Sequence, residues 1–177
     1  MVQKCVFLDR DGVLNREIGD YAYRLDHFEV NTGVGDALKL LKENGFLLII
    51  ITNQAGISKG LYTDEHVLTC HQHLQEVCQN LIDDIYYCPY HPSITESLSR
   101  KPDSLMFEKA IAKYNINQLK SWMVGDAERD IVPAKKLHLN TIQVGEKVEN
   151  SLADMVAGNL LEAAGMIINR QDYISHK

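Results

Sequence analysis

The chain has little positive charge, no long hydrophobic run and no paired cysteine motif. Its 18 lysine and arginine residues are outnumbered by 24 aspartate and glutamate residues, which gives a formal net charge of −6. Proteins that bind nucleic acid through phosphate contacts normally have a basic excess, so we expect no nucleic-acid partner. The longest apolar runs, such as residues 46–51, are far shorter than the roughly 20 residues that cross a bilayer. We therefore expect no membrane partner.

The cysteines and the first residues of the chain predict a cytoplasmic protein. The first residues have no signal-peptide pattern, and reduced thiols are the simplest interpretation of the four cysteines, Cys5, Cys70, Cys78 and Cys88. The sequence contains no repeat, low-complexity segment or glycine-serine linker, and its 177 residues suit one domain. We predict a single domain over residues 1–177 and expect a monomer.

Short strand-like runs alternate with amphipathic helix-like stretches. Strands are predicted at residues 5–8, 46–51, 84–88, 122–124 and 141–144. Helices are predicted at residues 34–41 (closed by Gly45), from the N-cap Thr63 to Leu81, at 107–114, after a cap at Asp130 with Pro133 in the first turn, and at about 152–164. The alternation predicts an α/β fold: one three-layer, Rossmann-like domain with a parallel central sheet.

Polar side chains follow these strands, where ligands bind in parallel sheets. Asp9 and Asp11 follow the first strand, Thr52 the second and Asp126 the fourth. Residues two apart in an extended segment point to the same side, and two close carboxylates resist joint ionisation unless they share a proton or a cation such as Mg²⁺. Alone, this segment fits a solvated acidic turn equally well.

The other polar segments are individually weaker signals. A threonine followed by Asn53 is commonly an ordinary cap or turn, although its hydroxyl and amides can also hold phosphate. Arg100 and Lys101 precede a predicted helix, and a surface basic pair is the usual explanation of such a doublet. Asp126 can complete a metal site, whereas Asp130 can simply cap the next helix.

The joint order of these segments is much more specific. Asp-x-Asp-Gly, Thr-Asn, Lys-Pro and Gly-Asp-x-x-x-Asp, each at a strand end, resemble the four motifs of the haloacid-dehalogenase-like superfamily. The resemblance extends from Cys5 to about Gly145. It is closest to the branch of heptose-bisphosphate and histidinol-phosphate phosphatases, through residues 7–15, 52–57, 59–63, 86–89, 100–103 and 123–126.

The resemblance implies a Mg²⁺-dependent phosphomonoester hydrolase. Asp9 would be the nucleophile that forms an aspartyl-phosphate, and Asp11 the general acid and base. Mg²⁺ would bind the carboxylates of Asp9 and Asp126 and the backbone carbonyl of Asp11. Thr52 and Lys101 would act as catalytic residues that stabilise the transferring phosphoryl group.

The substrate is expected to be a small phosphorylated sugar, most simply a heptose bisphosphate. No insertion is long enough for a large cap domain, so nearby loops must select the substrate. The resemblance assigns that role to the segment containing Asp20 and Tyr21. The remaining substrate-binding residues are expected to be Asn53, Gln54 and Arg100.

The sequence departs from the branch at two places. Members usually carry a structural zinc held by Cys-x-His and Cys-x-Cys; here Cys88 remains, but Tyr90 replaces the histidine, with His91 one residue later, and Ser97 and Ser99 replace the cysteines. Hydroxyls are poor zinc ligands, so we expect no structural zinc. Members also usually have a lysine directly after the position of Asp126. Here that residue is Ala127, so Arg129 or Lys101 would have to replace the missing charge.

Two alternatives remain open from the sequence. One is a phosphatase for histidinol phosphate, a nucleotide or another small phosphomonoester. The other is a non-catalytic phosphosugar-binding protein, which the lost zinc ligands slightly favour. Retention of Asp9, Asp11, Thr52, Lys101 and Asp126 argues against it, since a pure binder gains little from a nucleophile.

Overall fold

The computed structural model describes residues 2–145, 148 and 150–175, with side chains described as far as residue 170. The one-domain prediction over residues 1–177 therefore includes a few residues that lie outside the described ones. The element order is β1 (Lys4–Leu8), α1 (Val34–Glu43), β2 (Phe46–Asn53), α2 (Asp64–Val77), β3 (Asp84–Cys88), α3 (Leu105–Tyr114), β4 (Trp122–Gly125), α4 (Glu128–Lys136), β5 (Asn140–Val144), β6 (Met155–Ala157) and α5 (Leu160–Ser175). Short 3₁₀ turns lie at Leu25–His27 and Gln118–Lys120.

The strands form one parallel sheet in the order β3-β2-β1-β4-β5-β6. β1 lies in the interior, with Leu8 opposite Ile50 of β2 and Val124 of β4. β4 ends one residue beyond this level and β2 three residues beyond it, so the residues that follow β1 and β4 lie beside the carboxyl end of β2 at one edge of the sheet. The α/β prediction and all five predicted strands are confirmed.

Two apolar clusters cover the two faces of the sheet. Along β1, Val6 and Leu8 belong to one cluster, while Cys5 and Phe7 belong to the other. This follows from the alternation of side chains along a strand. Helices α1, α2 and α5 contribute to the first cluster and α3 and α4 to the second, which gives the predicted three layers. All four cysteines are free thiols and buried, as expected.

Three helix predictions need correction. α2 ends at Val77 rather than Leu81, because Gln79 and Asn80 adopt positive φ angles of 54° and 56°. α4 begins at Glu128, so Asp130 is the third residue of its first turn and caps the helix from there, by accepting a bond from the Ala127 N–H, and Pro133 lies in the interior and not in the first turn.

The predicted helix at residues 152–164 is wrong at its start. The segment first forms β6, where Met155 pairs with Ile142 of β5. The Asp154 carboxylate accepts bonds from the backbone N–H and hydroxyl of Thr141, 2.9 and 2.7 Å away, and this fixes the segment beside β5. The helix, α5, begins only at Leu160.

Within the described part of the chain, no helix combines the length and apolarity required to cross a membrane. The stretch between β1 and α1 contains one 3₁₀ turn and isolated β-bridges at Asn15, and the stretch between β2 and α2 contains no helix or strand. Neither stretch forms a large cap domain.

Candidate active site

A cavity of about 460 Å³ opens at the carboxyl ends of β1 and β2. It gathers eight of the predicted site residues: Asp9, Asp11, Asp20, Tyr21, Thr52, Asn53, Gln54 and Arg100. Six residues that were not predicted to bind also line it: Glu17, Gly19, Ala22, Ala55, His91 and Arg129. Arg129 had been named only as a possible replacement for the lysine missing at Ala127.

Asp9 lies at the bottom of the site in a buried charge network. Lys101 Nζ is 2.9 Å from Asp9 Oδ1 and 2.6 Å from Asp130 Oδ1, and it donates to the Ile51 carbonyl at 2.6 Å. Burial alone would lower the pKa of Lys101, but the carboxylates of Asp130 and Asp9 outweigh it and raise that pKa. Lys101 therefore stays charged and holds the Asp9 carboxylate.

The carboxyl group of Asp9 is hard to ionise in this setting. Burial and then the Asp130 carboxylate raise the pKa of Asp9 to about 7, while Lys101 opposes the shift. This is the behaviour of close carboxylates that lack a sufficient positive charge. A divalent cation beside Asp9 would favour the ionised form.

Asp126 supplies a second carboxylate to the same place. One carboxylate oxygen from each of Asp9, Asp126 and Asp130 lies within 4.8 Å of the other two. Burial and the charge of Asp9 raise the pKa of Asp126. Gly12, at φ +81°, allows this approach, because a Cβ there would overlap the Asp126 carboxylate. Hard oxygen donors of this kind suit Mg²⁺, so the residues present fit such an ion.

The predicted metal ligands were Asp9, Asp11 and Asp126, whereas the cluster of carboxylates contains Asp130 in place of Asp11. Asp130 was not predicted in the metal set, and its Oδ1 is already paired with Lys101. Asp11 was predicted to contribute its backbone carbonyl, and its carboxylate oxygens accept bonds from Arg10, Asn15 and Gln54. The spacing Gly-Asp-x-x-x-Asp was the sequence signal for Asp130, although it was also compatible with a helix cap.

Asp11 is held by donors on both carboxylate oxygens. Arg10 Nη2 and Asn15 Nδ2 each donate to Oδ1 at 2.9 Å, and Gln54 Nε2 donates to Oδ2 at 3.0 Å. Burial would raise the pKa of Asp11, but Arg10 and these hydrogen bonds lower it. The guanidinium of Arg10 is itself fully buried and donates to the Ala22 carbonyl, which joins Asp11 to the loop that contains Asp20 and Tyr21.

Asn53 and Gln54 bind mainly within the protein. The Asn53 side chain donates to the Lys101 carbonyl and accepts from the Lys101 N–H, both at 3.0 Å, so it fixes the Lys101 backbone. Gln54 is 2% exposed, and its amide contacts Asp11, Thr52 and Tyr62. Tyr62 had no distinguishing signal in the sequence beyond its place in a matched run.

Hydrogen bonds hold the segment in which the usual zinc ligands are replaced, residues 88–99. Ser99 Oγ donates to Cys88 Sγ at 3.2 Å and lies 2.7 Å from Ser97 Oγ. The Arg100 guanidinium donates to the Tyr90 carbonyl at 3.2 Å. One thiol among hydroxyls does not match the tetrahedral cysteine and histidine set that structural zinc requires, so these residues do not fit the ion.

The chain is similar to known proteins along most of its length. The family described as polynucleotide kinase 3 phosphatase matches residues 7–156. A D-glycero-beta-D-manno-heptose-1,7-bisphosphate 7-phosphatase of Haemophilus ducreyi is 35% identical, over 92% of this chain and 97% of the relative. The protein of the same name from Escherichia coli K12 is 34% identical, over 94% of each chain.

A solved structure shows the same fold. The D,D-heptose 1.7-bisphosphate phosphatase of B. bronchiseptica, complexed with magnesium and phosphate, superposes with a TM-score of 0.84 at 22% identity, over 95% of this chain and 99% of that one. Because the family match covers most of this chain, the chain belongs to the haloacid-dehalogenase-like phosphatases, in the family described as polynucleotide kinase 3 phosphatase.

Proposed function

We propose that this protein is a Mg²⁺-dependent phosphatase that removes the 7-phosphate of D-glycero-β-D-manno-heptose 1,7-bisphosphate through an aspartyl-phosphate. The observation that carries the chemistry is the buried Asp9 carboxylate, held 2.9 Å from Lys101 Nζ at the bottom of an open cavity. The sugar is inferred from the relatives, which carry that activity in their names at 33–35% identity.

Asp9 is proposed as the nucleophile. The bond to Lys101 involves Asp9 Oδ1, so Oδ2 is the oxygen left to attack phosphorus. The new bond joins Asp9 to the phosphoryl group as the bond to the sugar oxygen breaks. Bound Mg²⁺ would hold the phosphate against the carboxylates of Asp9 and Asp126 and offset the repulsion between anions.

Asp11 is proposed as the general acid and base. In its protonated form Asp11 would give a proton to the departing sugar oxygen. The carboxylate that remains, which Arg10 and the other donors favour, would then take a proton from the water that hydrolyses the intermediate. The donors on both of its oxygens fix the direction in which it faces. Thr52 and the backbone amide of Asn53 would bind the phosphoryl oxygens, while Lys101 balances their charge.

The mouth of the cavity carries cations suited to a second phosphate. These cations are Arg100, which lines the cavity, and Lys59, whose Nζ lies 5.6 Å from the ring centre of Tyr21. His91 also lines the cavity, but burial and the neighbouring charges of Lys59 and Arg100 lower its pKa, so the imidazole adds no positive charge at neutral pH. A bisphosphate would place one phosphate at Asp9 and the other near these cations, with Asp20 and Tyr21 against the sugar. This charge pattern favours a bisphosphate over a monoester without a second anionic group.

We further propose that the chain acts as one domain, as a monomer and in the cytoplasm. A continuous sheet with an apolar cluster on each face supports the single domain. Size-exclusion chromatography with light scattering should give a mass near 20.0 kDa. A mass near twice that value would contradict the monomer.

A phosphate-release panel tests the function. The substrates are both anomers of the heptose 1,7-bisphosphate, histidinol phosphate, fructose 1,6-bisphosphate and glucose 6-phosphate, each with Mg²⁺ or with EDTA. We expect kcat/KM for the β-anomer to exceed the others at least about tenfold, and ³¹P NMR to show loss of the 7-phosphate. A preference for histidinol phosphate, or equal rates across the panel, would contradict the proposed substrate.

The nucleophile is tested by Asp9→Asn, which should remove activity by a factor of about 10⁴ or more because an asparagine amide cannot act as the nucleophile. Asp36→Asn, the same change at an exposed residue of α1, is the matched control and should retain the parent rate. Phosphate release by Asp9→Asn at the parent rate would exclude the mechanism.

A further inference from the structure

Tyr62 lies in a buried chain of hydrogen bonds whose direction is fixed at one end. The Gly56 N–H donates to the Tyr62 hydroxyl oxygen at 3.3 Å, and the hydroxyl donates to Gln54 Oε1 at 3.1 Å. A backbone N–H can only donate, so the single hydroxyl proton of Tyr62 goes to Gln54. Burial raises the pKa of Tyr62 to about 12, and the hydroxyl therefore keeps this proton at neutral pH.

This bond determines which end of the Gln54 amide faces the site. With Oε1 directed at Tyr62, the two N–H groups of Nε2 point to Asp11 Oδ2 at 3.0 Å and Thr52 Oγ1 at 3.1 Å. Because the Thr52 oxygen accepts from Gln54, its own proton is free to point elsewhere. Thr52 lines the cavity, so a phosphoryl oxygen bound there can accept that proton.

The ring of Tyr62 also supports the loop at the mouth of the cavity. It stacks on Tyr23 with ring centres 4.8 Å apart at 14° and meets Tyr21 edge-on at 5.6 Å. A Cβ at residue 56 would overlap the Tyr62 ring, so Gly56 allows the ring to lie close to the backbone. One side chain thus contacts both the substrate loop and the hydrogen bonds behind the phosphate site.

We propose that Tyr62 is a positioning residue for catalysis: acting through Gln54, it orients the Thr52 hydroxyl as a donor to the phosphoryl group and fixes the Asp11 carboxylate, while its ring seats the substrate loop. The inference rests on the proposed phosphatase function. Donors that are already aligned count most in the transition state, so the effect belongs mainly to kcat.

The test is Tyr62→Phe, which keeps the stacked ring and removes only the hydroxyl. We expect kcat to fall about tenfold and KM to change about threefold or less, because the Gln54 amide is free to turn while the loop stays seated. Tyr114→Phe is the matched control, since it removes a hydroxyl that is bonded to Asp84 outside the cavity and is not part of this chain of bonds. A Tyr62→Phe enzyme with the parent kcat would overturn the proposal.

A double-mutant cycle separates positioning from a general effect on the fold. In a Gln54→Leu background, Tyr62→Phe should lower kcat less than twofold, since the hydroxyl then has no amide to orient. An undiminished tenfold loss there would overturn the proposal. Gln54→Glu, which replaces the donors by an acceptor, should lower kcat at least as much as Tyr62→Phe, and unchanged turnover would contradict it.

The assays also distinguish this inference from the proposed substrate. All variants are measured with p-nitrophenyl phosphate, so the comparison holds even if the heptose bisphosphate is not hydrolysed. If no ester is hydrolysed, calorimetry with Mg²⁺ and inorganic phosphate decides: Tyr62→Phe should bind phosphate about threefold more weakly. Equal affinities of parent and variant would overturn the inference.

Discussion

Lys101 determines the electrostatics of the site at the scale of single residues. Its ammonium group is fully buried between the carboxylates of Asp9 and Asp130, and the Ile51 carbonyl accepts a third bond. Removing one partner of a buried ion pair leaves the other charge unpaired, which is costly. Lys101 therefore stabilises the fold around Asp9 in addition to its proposed role toward phosphate.

Arg129 contacts the carboxylates that are proposed to bind Mg²⁺. Its Nη2 lies 3.2 Å from Asp126 Oδ1 and 3.9 Å from Asp9 Oδ2, and the side chain is nearly half exposed. We expect Arg129→Ala to lower the Mg²⁺ concentration for half-maximal activity about two- to fivefold. An exposed pair of this kind contributes about 0.2–1 kcal/mol, and Mg²⁺ no longer has to displace it.

Activity titrated with Mg²⁺ at constant ionic strength checks this prediction. Arg24→Ala, which removes an exposed arginine paired with Asp26 outside the cavity, controls for the change in net charge. A higher Mg²⁺ requirement in Arg129→Ala than in Arg24→Ala would show that Arg129 assists the ion instead of competing with it.

The identity of most site residues could be predicted from the sequence, but their partners could not. Asp9, Thr52 and Asp126 were placed because strand ends in a parallel sheet converge. Asp130 pairs with Lys101, which lies far from it in the chain, and the bond between Tyr62 and Gln54 depends on the rotamers of both side chains. Neither contact follows from a fixed spacing in the sequence.

At the scale of elements, α2 buries a histidine behind the site. His71 is 5% exposed, and its Nε2 has no hydrogen-bond partner among the described residues. Burial, followed by the charge of Arg10, lowers the pKa of His71 to about 3. The imidazole is therefore neutral in the folded protein over the whole range in which histidine normally titrates.

This burial makes stability depend on pH. Below its ordinary pKa near 6.5 the unfolded histidine takes up a proton, while the folded one does not until about pH 3, so stability falls as the pH falls. We expect His71 to destabilise the parent by about 2 kcal/mol between pH 6.5 and 5 relative to His71→Asn, at about 1.4 kcal/mol per pH unit.

Urea unfolding of both proteins at several pH values provides the measurement. Asp9, whose raised pKa acts in the opposite direction, is present in both proteins and cancels in the difference. His138→Asn, at an exposed histidine, controls for the substitution itself. Parallel stability curves for the parent and His71→Asn would contradict the prediction.

The segment from residue 152 to residue 157 is the place where the sequence predicts the wrong element. The apolar residues from 152 onward fit a helix, yet residues 155–157 are a strand. The strand depends on Asp154, which bonds to Thr141 and pairs with Lys135. Tertiary contacts of this kind outweigh the local preference of a three-residue segment. Longer strands such as β2 needed no such information.

At the scale of the whole molecule, the excess of carboxylates in the site would link Mg²⁺ binding to stability. Burial and then the charge of Asp130 raise the pKa of Asp9, and burial and then the charge of Asp9 raise the pKa of Asp126. Mg²⁺ that binds only the folded state stabilises it by about 2.7 kcal/mol at a hundredfold excess over Kd. For a chain of this size the expected rise in Tm is about 5–10 °C.

Differential scanning fluorimetry with and without Mg²⁺ measures this shift, with KCl of equal ionic strength as the salt control. Asp126→Asn should be more stable than the parent without metal, because it removes one of the repelling charges, and should lose most of the Mg²⁺ response. An undiminished response in Asp126→Asn would place the ion elsewhere.

The interior position of β1 has a consequence for how the protein is made. Asp9 is synthesised before its partners Lys101 and Asp130 and before the strand β4 that covers one edge of β1. The charge network around Asp9 therefore cannot form until Asp130 has been synthesised. A nascent chain stalled before that point would expose the edge of its first strand to chaperones and other nascent chains.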